Sequence, residues 1–96
     1  VSCLHTINLS PRFAQLDSCS SLLLPGDAVL FIEDGTYYCS APHKIPASMS
    51  GVELYALQED MIARGTEATC VKEVTLANYY KFVELSCEFD KVISWF

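Results

Sequence analysis

Basic residues are scarce in this chain: six Lys and Arg stand against twelve Asp and Glu, a net charge of −6. Nucleic acids and anionic lipid surfaces are both held mainly through Lys and Arg. Direct binding of DNA, RNA or an anionic membrane is therefore not expected, and any nucleic acid this protein serves should be held by another subunit. Long apolar runs are missing as well. The longest, residues 22–24 and 28–32, fall far short of the ~18–20 residues of a membrane span. Gly26, Gly35, Gly51 and Gly65 are scattered, so neither a Walker loop nor G-x-G-x-x-G exists to cradle a phosphate. No C-x-x-C is present, and His5 and His43 lie far apart. Zinc-finger spacing is therefore absent, and neither a metal nor a cofactor is expected.

What is present suits one folded domain over residues 1–96. The chain is 51% hydrophobic and 19% charged, which excludes disorder. Five cysteines, Cys3, Cys19, Cys39, Cys70 and Cys87, make an odd number. The first residues, Val1-Ser2-Cys3-Leu4-His5, show neither a basic n-region nor an apolar h-region. Together these lead us to expect a reduced, cytoplasmic protein with free thiols.

Along the chain, Cys3–Ile7 reads as a first strand. Ser10 before Pro11 is a helix entry, with Ser10 as cap. Phe13, Leu16, Ser20 and Leu23 then follow a helical period, which predicts a helix over 12–24 that Pro25-Gly26-Asp27 stops. Residues 28–32 are continuously apolar, as in a strand covered on both faces of a parallel sheet. A short helix is expected over 36–41, and 42–51 is expected to be a mobile loop. Residues 52–57 read as a third strand. The next helix starts at Gln58-Glu59-Asp60 and closes at Gly65, with acids in its first turn and glycine at its left-handed end. A fourth strand is expected over 71–74, a long helix capped by Thr75 over 76–89, and a short last strand over 92–95. Strands separated by helices predict an α/β fold. The expected form is a three-layer α/β/α sandwich around a mostly parallel sheet of four to five strands.

Few side chains suggest chemistry. Glu33-Asp34 at a strand end has the flavour of a receiver-domain acidic pocket, but Asn8 and Leu57 do not complete it, and Asp34-Gly35 is adequate turn chemistry. His5, on the strand face of Cys3 and Ile7, reads as a buried, satisfied group. Cys3 and Cys87 read as core, Cys39 as exposed beside the loop, and Cys19 as lying at the rim of the first helix's apolar face. In the last helix, Leu76, Tyr80, Val83 and Cys87 form one apolar stripe, and Phe82, Leu85 and Phe89 another. One stripe suffices to cover a sheet. The second, with Tyr37, Tyr38, Trp95 and Phe96, is expected as surplus interface surface and as a route to homo-oligomers when the chain is alone.

Four blocks in order resemble the DsrH/TusB family. They are Leu4-His5-Thr6-Ile7-Asn8-Leu9-Ser10-Pro11, Gly26-Asp27-Ala28-Val29-Leu30-Phe31-Ile32-Glu33-Asp34-Gly35, Tyr55-Ala56-Leu57-Gln58-Glu59-Asp60-Met61-Ile62-Ala63-Arg64-Gly65, and Asp90-Lys91-Val92-Ile93-Ser94-Trp95. The resemblance implies a DsrEFH-like fold and a heterohexamer with DsrE/TusD-like and DsrF/TusC-like subunits. It implies passage of persulfide sulfur between cysteines, toward 2-thiouridine at the tRNA wobble position or, in the other branch, in cytoplasmic sulfur oxidation. The chain would then be an accessory or sulfur-carrier subunit rather than an independent enzyme. The DsrE-type sister carries its relay cysteine at the end of strand three, where this chain has Leu57, so the principal carrier is expected elsewhere. Some DsrH-type members have a cysteine in the first helix near Cys19, and the thiolation-type members lack it. The resemblance thus nominates Cys19 as the sulfur-handling residue and tilts it toward the oxidation branch. A purely structural subunit is the rival reading, favoured if Cys19 is buried against Leu16 and Leu23.

Overall fold

The computed structural model describes residues 2–96, and within it five strands form one sheet. They are β1 (Cys3–Ile7), β2 (Ala28–Phe31), β3 (Glu53–Leu57), β4 (Val74–Ala77) and β5 (Lys91–Ser94). Their order is β4-β3-β2-β1-β5, and every neighbouring pair is parallel. The apolar pattern explains the order. All four residues of β2 are buried, as a central strand covered on both faces requires, whereas all four residues of the edge strand β5 are exposed. Lys91 on that edge discourages pairing with a further strand.

The chain steps from β1 to β4 in one direction, then returns across the sheet to place β5 beside β1. Right-handed crossovers put the connections of the outward path on one face and the return helix on the other. The core divides accordingly. Ile7, Leu16, Cys19, Val29, Phe31, Tyr38, Cys39 and Met61 belong to one cluster. This face carries helix α1 (Gln15–Ser20), a 3-10 segment (Glu33–Ser40) and helix α2 (Gln58–Arg64). Leu4, Ala28, Leu30, Ala77 and Leu85 form the other cluster, beneath helix α3 (Tyr79–Glu88). The expected three-layer α/β/α sandwich is therefore present, with all five strands parallel.

Several element boundaries differ from the expectation. The helix expected over 12–24 is broken at Ala14, whose φ of 54° is left-handed. A 3-10 turn (Pro11–Phe13) precedes it, and α1 ends at Ser20. The cause is Gln15. Its amide oxygen accepts from the Asn8 and Leu9 N–H groups at 2.9 and 3.1 Å, and its nitrogen donates to Asn8 Oδ1 at 3.1 Å. Capping the end of β1 this way forces the kink, and Ser10 makes no side-chain cap. Residues 42–51 carry two 3-10 turns, Pro42–Lys44 and Ala47–Met49. The fourth strand lies at Val74–Ala77, so Thr75 is within it. Asn78 caps α3 instead, its Oδ1 accepting from Lys81 N–H at 2.8 Å. As expected, α2 ends on left-handed Gly65.

The assignment of the α3 stripes is reversed. Leu85 is fully buried, and Phe82 and Phe89 pack beside it against the sheet. Tyr80 and Val83 are 74% and 61% exposed, and Cys87 is exposed as well. The Phe stripe faces the sheet because Leu85 meets Leu4, Leu30 and Ala77 there with Phe82 and Phe89 beside it, while the Tyr80 side chain stays at the surface. The surplus stripe is real, but it is the one expected to be core.

Candidate functional site

The strand order reverses between β1 and β5, where sheets of this kind usually bind ligands outside the carboxyl ends of the strands. The concavity of this chain lies instead over the face of these two strands, reaching the start of β1 at Cys3. Among the described residues, no helix covers β5 on the α1 face. A cavity of about 470 Å³ opens there, lined by Cys3, His5, Leu22, Leu24, Asp27, Ile93, Ser94 and Trp95.

Its polar floor is a chain of three side chains. Trp95 Nε1–H donates to His5 Nδ1 at 3.0 Å, and His5 Nε2 lies 3.2 Å from Asp27 Oδ2. An indole nitrogen can only donate, so Nδ1 must accept and Nε2 carries the proton, which it gives to Asp27. His5 and Asp27 are both nearly inaccessible. Asp27 also accepts from Cys3 N–H at 2.9 Å and Leu24 N–H at 3.1 Å. Burial works to raise the Asp27 carboxyl, but the Leu24, Cys3 and His5 hydrogen bonds outweigh it and hold the group below the usual carboxylate range.

Ligand atoms of Cys3, His5 and Asp27 lie within 4.8 Å of one another. The donor types suit a transition metal, but the hydrogen bonding opposes one. A metal on Nε2 would leave the proton on Nδ1, facing the Trp95 N–H donor at 3.0 Å. Both Asp27 oxygens are already engaged.

Cys19 is fully buried in the cluster with Leu16, and partly buried Leu23 packs against that cluster. Burial, and then the charge of Asp27, raise its thiol to about 11. At rest it is a neutral, inaccessible group. The structure brings Cys19 near Asp27, whose charge opposes ionisation of the thiol. Cys39, expected to be exposed, is fully buried, and burial is the first cause that raises its thiol strongly. Cys87, expected to be core, is exposed, because the stripes of α3 are reversed. Cys3 is partly accessible at the cavity wall. Leu57 ends β3 at 3% exposure and offers no thiol where a strand-three carrier would sit.

Sequence reasoning missed Asp27 and Trp95 as partners of His5. From the sequence, Asp27 reads as a helix stop and Trp95 as interface surface. Their separations from His5, 22 and 90 residues, leave no local spacing to detect.

The topology and the buried thiols define a small parallel α/β protein, doubly wound, with its sheet reversal at β1 and β5. Residues 9–92 match the family model described as "DsrH like protein", and the chain belongs to that DsrH family. Similar curated proteins include Protein TusB of Pectobacterium carotovorum, 35% identical over 96% of this chain and 99% of its own length. Protein TusB of Escherichia coli is 30% identical over the same shares. The solution NMR structure of protein Tm0979 from Thermotoga maritima superposes with a TM-score of 0.65, at 20% identity, over 90% of this chain and 92% of that one. That likeness concerns the fold. Among the described residues, no helix is long and apolar enough to cross a membrane.

Proposed function

We propose that this chain is a subunit of a cytoplasmic sulfur-relay complex that moves persulfide sulfur toward 2-thiouridine at the tRNA wobble position. Its partners in this reading are DsrE/TusD-like and DsrF/TusC-like subunits in a heterohexamer. The observation that carries the proposal is the near full-length match to proteins named TusB, at 30–35% identity. The exposed α3 stripe supports assembly, and the charge of −6 fits a subunit that leaves the RNA to others. For Cys19 to carry sulfur, α1 must swing away from the sheet in the complex, because persulfide exchange needs an accessible, ionised thiol. Its burial with a thiol raised to about 11 favours a second reading, in which the subunit positions its partners and carries no sulfur.

One experiment separates the two. The chain is co-expressed with the two sister subunits, the purified complex is loaded from a persulfide donor, and each chain is weighed. A chain one sulfur atom heavier, with the adduct mapped to Cys19 and lost in Cys19→Ser, supports the carrier role. An adduct confined to the DsrE-type partner, with transfer unchanged in Cys19→Ser, supports the structural role. Failure to recover any complex would overturn the relay assignment itself.

A further inference from the structure

Two cysteines outside the cavity lie on adjoining segments. Cys39 lies in the 3-10 segment after β2, and Cys70 in the stretch leading into β4. The two segments are bound side by side. Val71 N–H donates to the Cys39 carbonyl at 2.9 Å, and the Ser40 and Thr69 hydroxyls are hydrogen-bonded to one another. This bracket sets Cys39 beside Cys70, close enough for each thiol to shift the ionisation of the other. Cys39 is fully buried, and Cys70 is partly accessible at the edge of the same core cluster.

We propose that Cys39 and Cys70 are a redox-active dithiol that peroxides convert to an intramolecular disulfide. The geometry divides the roles. Cys70 reaches solvent, its thiol donating to the Val71 carbonyl at 3.4 Å, and Cys39 is fully buried. Burial raises the Cys70 thiol and Cys39 offsets part of that rise, whereas the Cys39 thiol is raised strongly, by burial first. Cys70 is therefore the attacking thiol and Cys39 the resolving one. The Cys70 thiolate attacks hydrogen peroxide, the O–O bond breaks, and Cys70 becomes a sulfenic acid while the departing hydroxide takes up the thiol proton as water. The Cys39 sulfur then attacks the Cys70 sulfur. The S–O bond breaks, hydroxide leaves with the Cys39 proton as a second water, and the S–S bond forms. The two thiols lose two electrons, and the peroxide gains them. The product ties the end of the 3-10 segment to the entry of β4, enclosing β3 and α2.

The same closeness bears on sulfur handling. A persulfide formed on Cys70 would be displaced by Cys39 with loss of hydrogen sulfide, so Cys70 is a poor place to store sulfur.

The test uses the full-length Cys87→Ser chain, which removes the exposed thiol that could link two molecules. It is treated with hydrogen peroxide, alkylated, digested without reductant and mapped by mass spectrometry. The expected product is a cross-linked peptide pair containing Cys39 and Cys70, lighter by two hydrogens than the free thiols and separated by dithiothreitol. In Cys39→Ser, Cys70 should accumulate as a sulfenic acid trapped by dimedone, while in Cys70→Ser no such label should form on Cys39. Should either variant fail to fold, the map of the Cys87→Ser chain still decides. Cys70 oxidised to sulfenic or sulfinic acid beside a reduced Cys39, a cross-link to Cys3 or Cys19 instead, or no oxidation of the pair would each overturn the proposal.

Discussion

Trp95 donates its indole N–H to His5 Nδ1 at 3.0 Å, joining the last strand's end to the first strand across the switch in strand order. The bond fixes the His5 tautomer and points the remaining imidazole proton at Asp27. Trp95→Phe keeps an aromatic ring, though a smaller one, and leaves a buried acceptor without its donor. A loss of about 1–3 kcal/mol is expected, read from urea denaturation. Nitrogen NMR of the wild type should show the proton on Nε2 of His5, and the variant should relax that preference.

Asp27 ties β1 to the turn before β2 through one buried carboxylate, and its pH dependence has a definite sign. Its folded value lies below the ordinary carboxyl value of 3.8. A depressed carboxyl contributes stability above the unfolded value, and that contribution is lost as pH falls toward and through the folded one. Thermal melts should therefore fall as pH drops below about 5. Asp27→Asn should be less stable than the wild type at pH 7 and lose less on acidification. An equally steep acid limb in Asp27→Asn would place the titration elsewhere.

Gly35 is required by a close approach. A Cβ built there would sit 2.0 Å from the Ile7 carbonyl oxygen, which already accepts from Ile32 N–H at 2.9 Å. Neither backbone can yield without parting β1 from the turn after β2. Gly35→Ala should cost on the order of 3 kcal/mol or more, seen as a large fall in denaturation midpoint or as insoluble expression.

The five thiols should react in an order set by exposure and ionisation. Cys87 is exposed, Cys3 and Cys70 are partly so, and Cys19 and Cys39 are buried. A thiol raised to about 11, as Cys19 is, ionises in only about one part in a thousand at pH 8. Iodoacetamide at that pH should modify Cys87 first and leave Cys19 and Cys39 protected until denaturant is added. Mass mapping over time checks the order, and early labelling of Cys19 would show that α1 opens in the free chain.

What the sequence reveals here depends on how local the cause is. The buried strand β2 is legible because its four apolar residues need no partner to explain them. The close of α2 at Gly65 is legible because a left-handed end has its own residue preference. Burial of His5 follows from its apolar neighbours on the strand. Its partners do not, because they come from distant segments brought together only by the sheet. The break at Ala14 is equally hidden: Gln15 is an ordinary helix former, and only the finished end of β1 gives its amide a better use. In α3, two apolar stripes compete and the pattern alone does not choose. The strand register does, by placing Leu85 over Leu4, Leu30 and Ala77.

That outcome leaves Tyr79, Tyr80 and Val83 more than half exposed on α3, with Leu76 nearby at 41% and Cys87 one turn further along. Isolated apolar side chains on a surface are ordinary, but several along one helix mark a contact surface. Since these side chains touch little within the chain, replacing them should spare the fold. Tyr80→Ser and Val83→Ser are expected to change stability by no more than about 0.5 kcal/mol. At an interface centre an aromatic anchor can contribute about 2 kcal/mol or more, a change of some thirtyfold in dissociation constant. The double variant should therefore melt like the wild type yet lose co-purification with the sister subunits, and any self-association of the isolated chain should weaken in sedimentation. Phe82→Ser reverses the pattern: it removes packing beside Leu85, so its stability should fall first and its assembly only as a consequence. If Tyr80→Ser with Val83→Ser assembles normally, the contact surface lies elsewhere, with the exposed edge of β5 and Phe96 as the next site to alter.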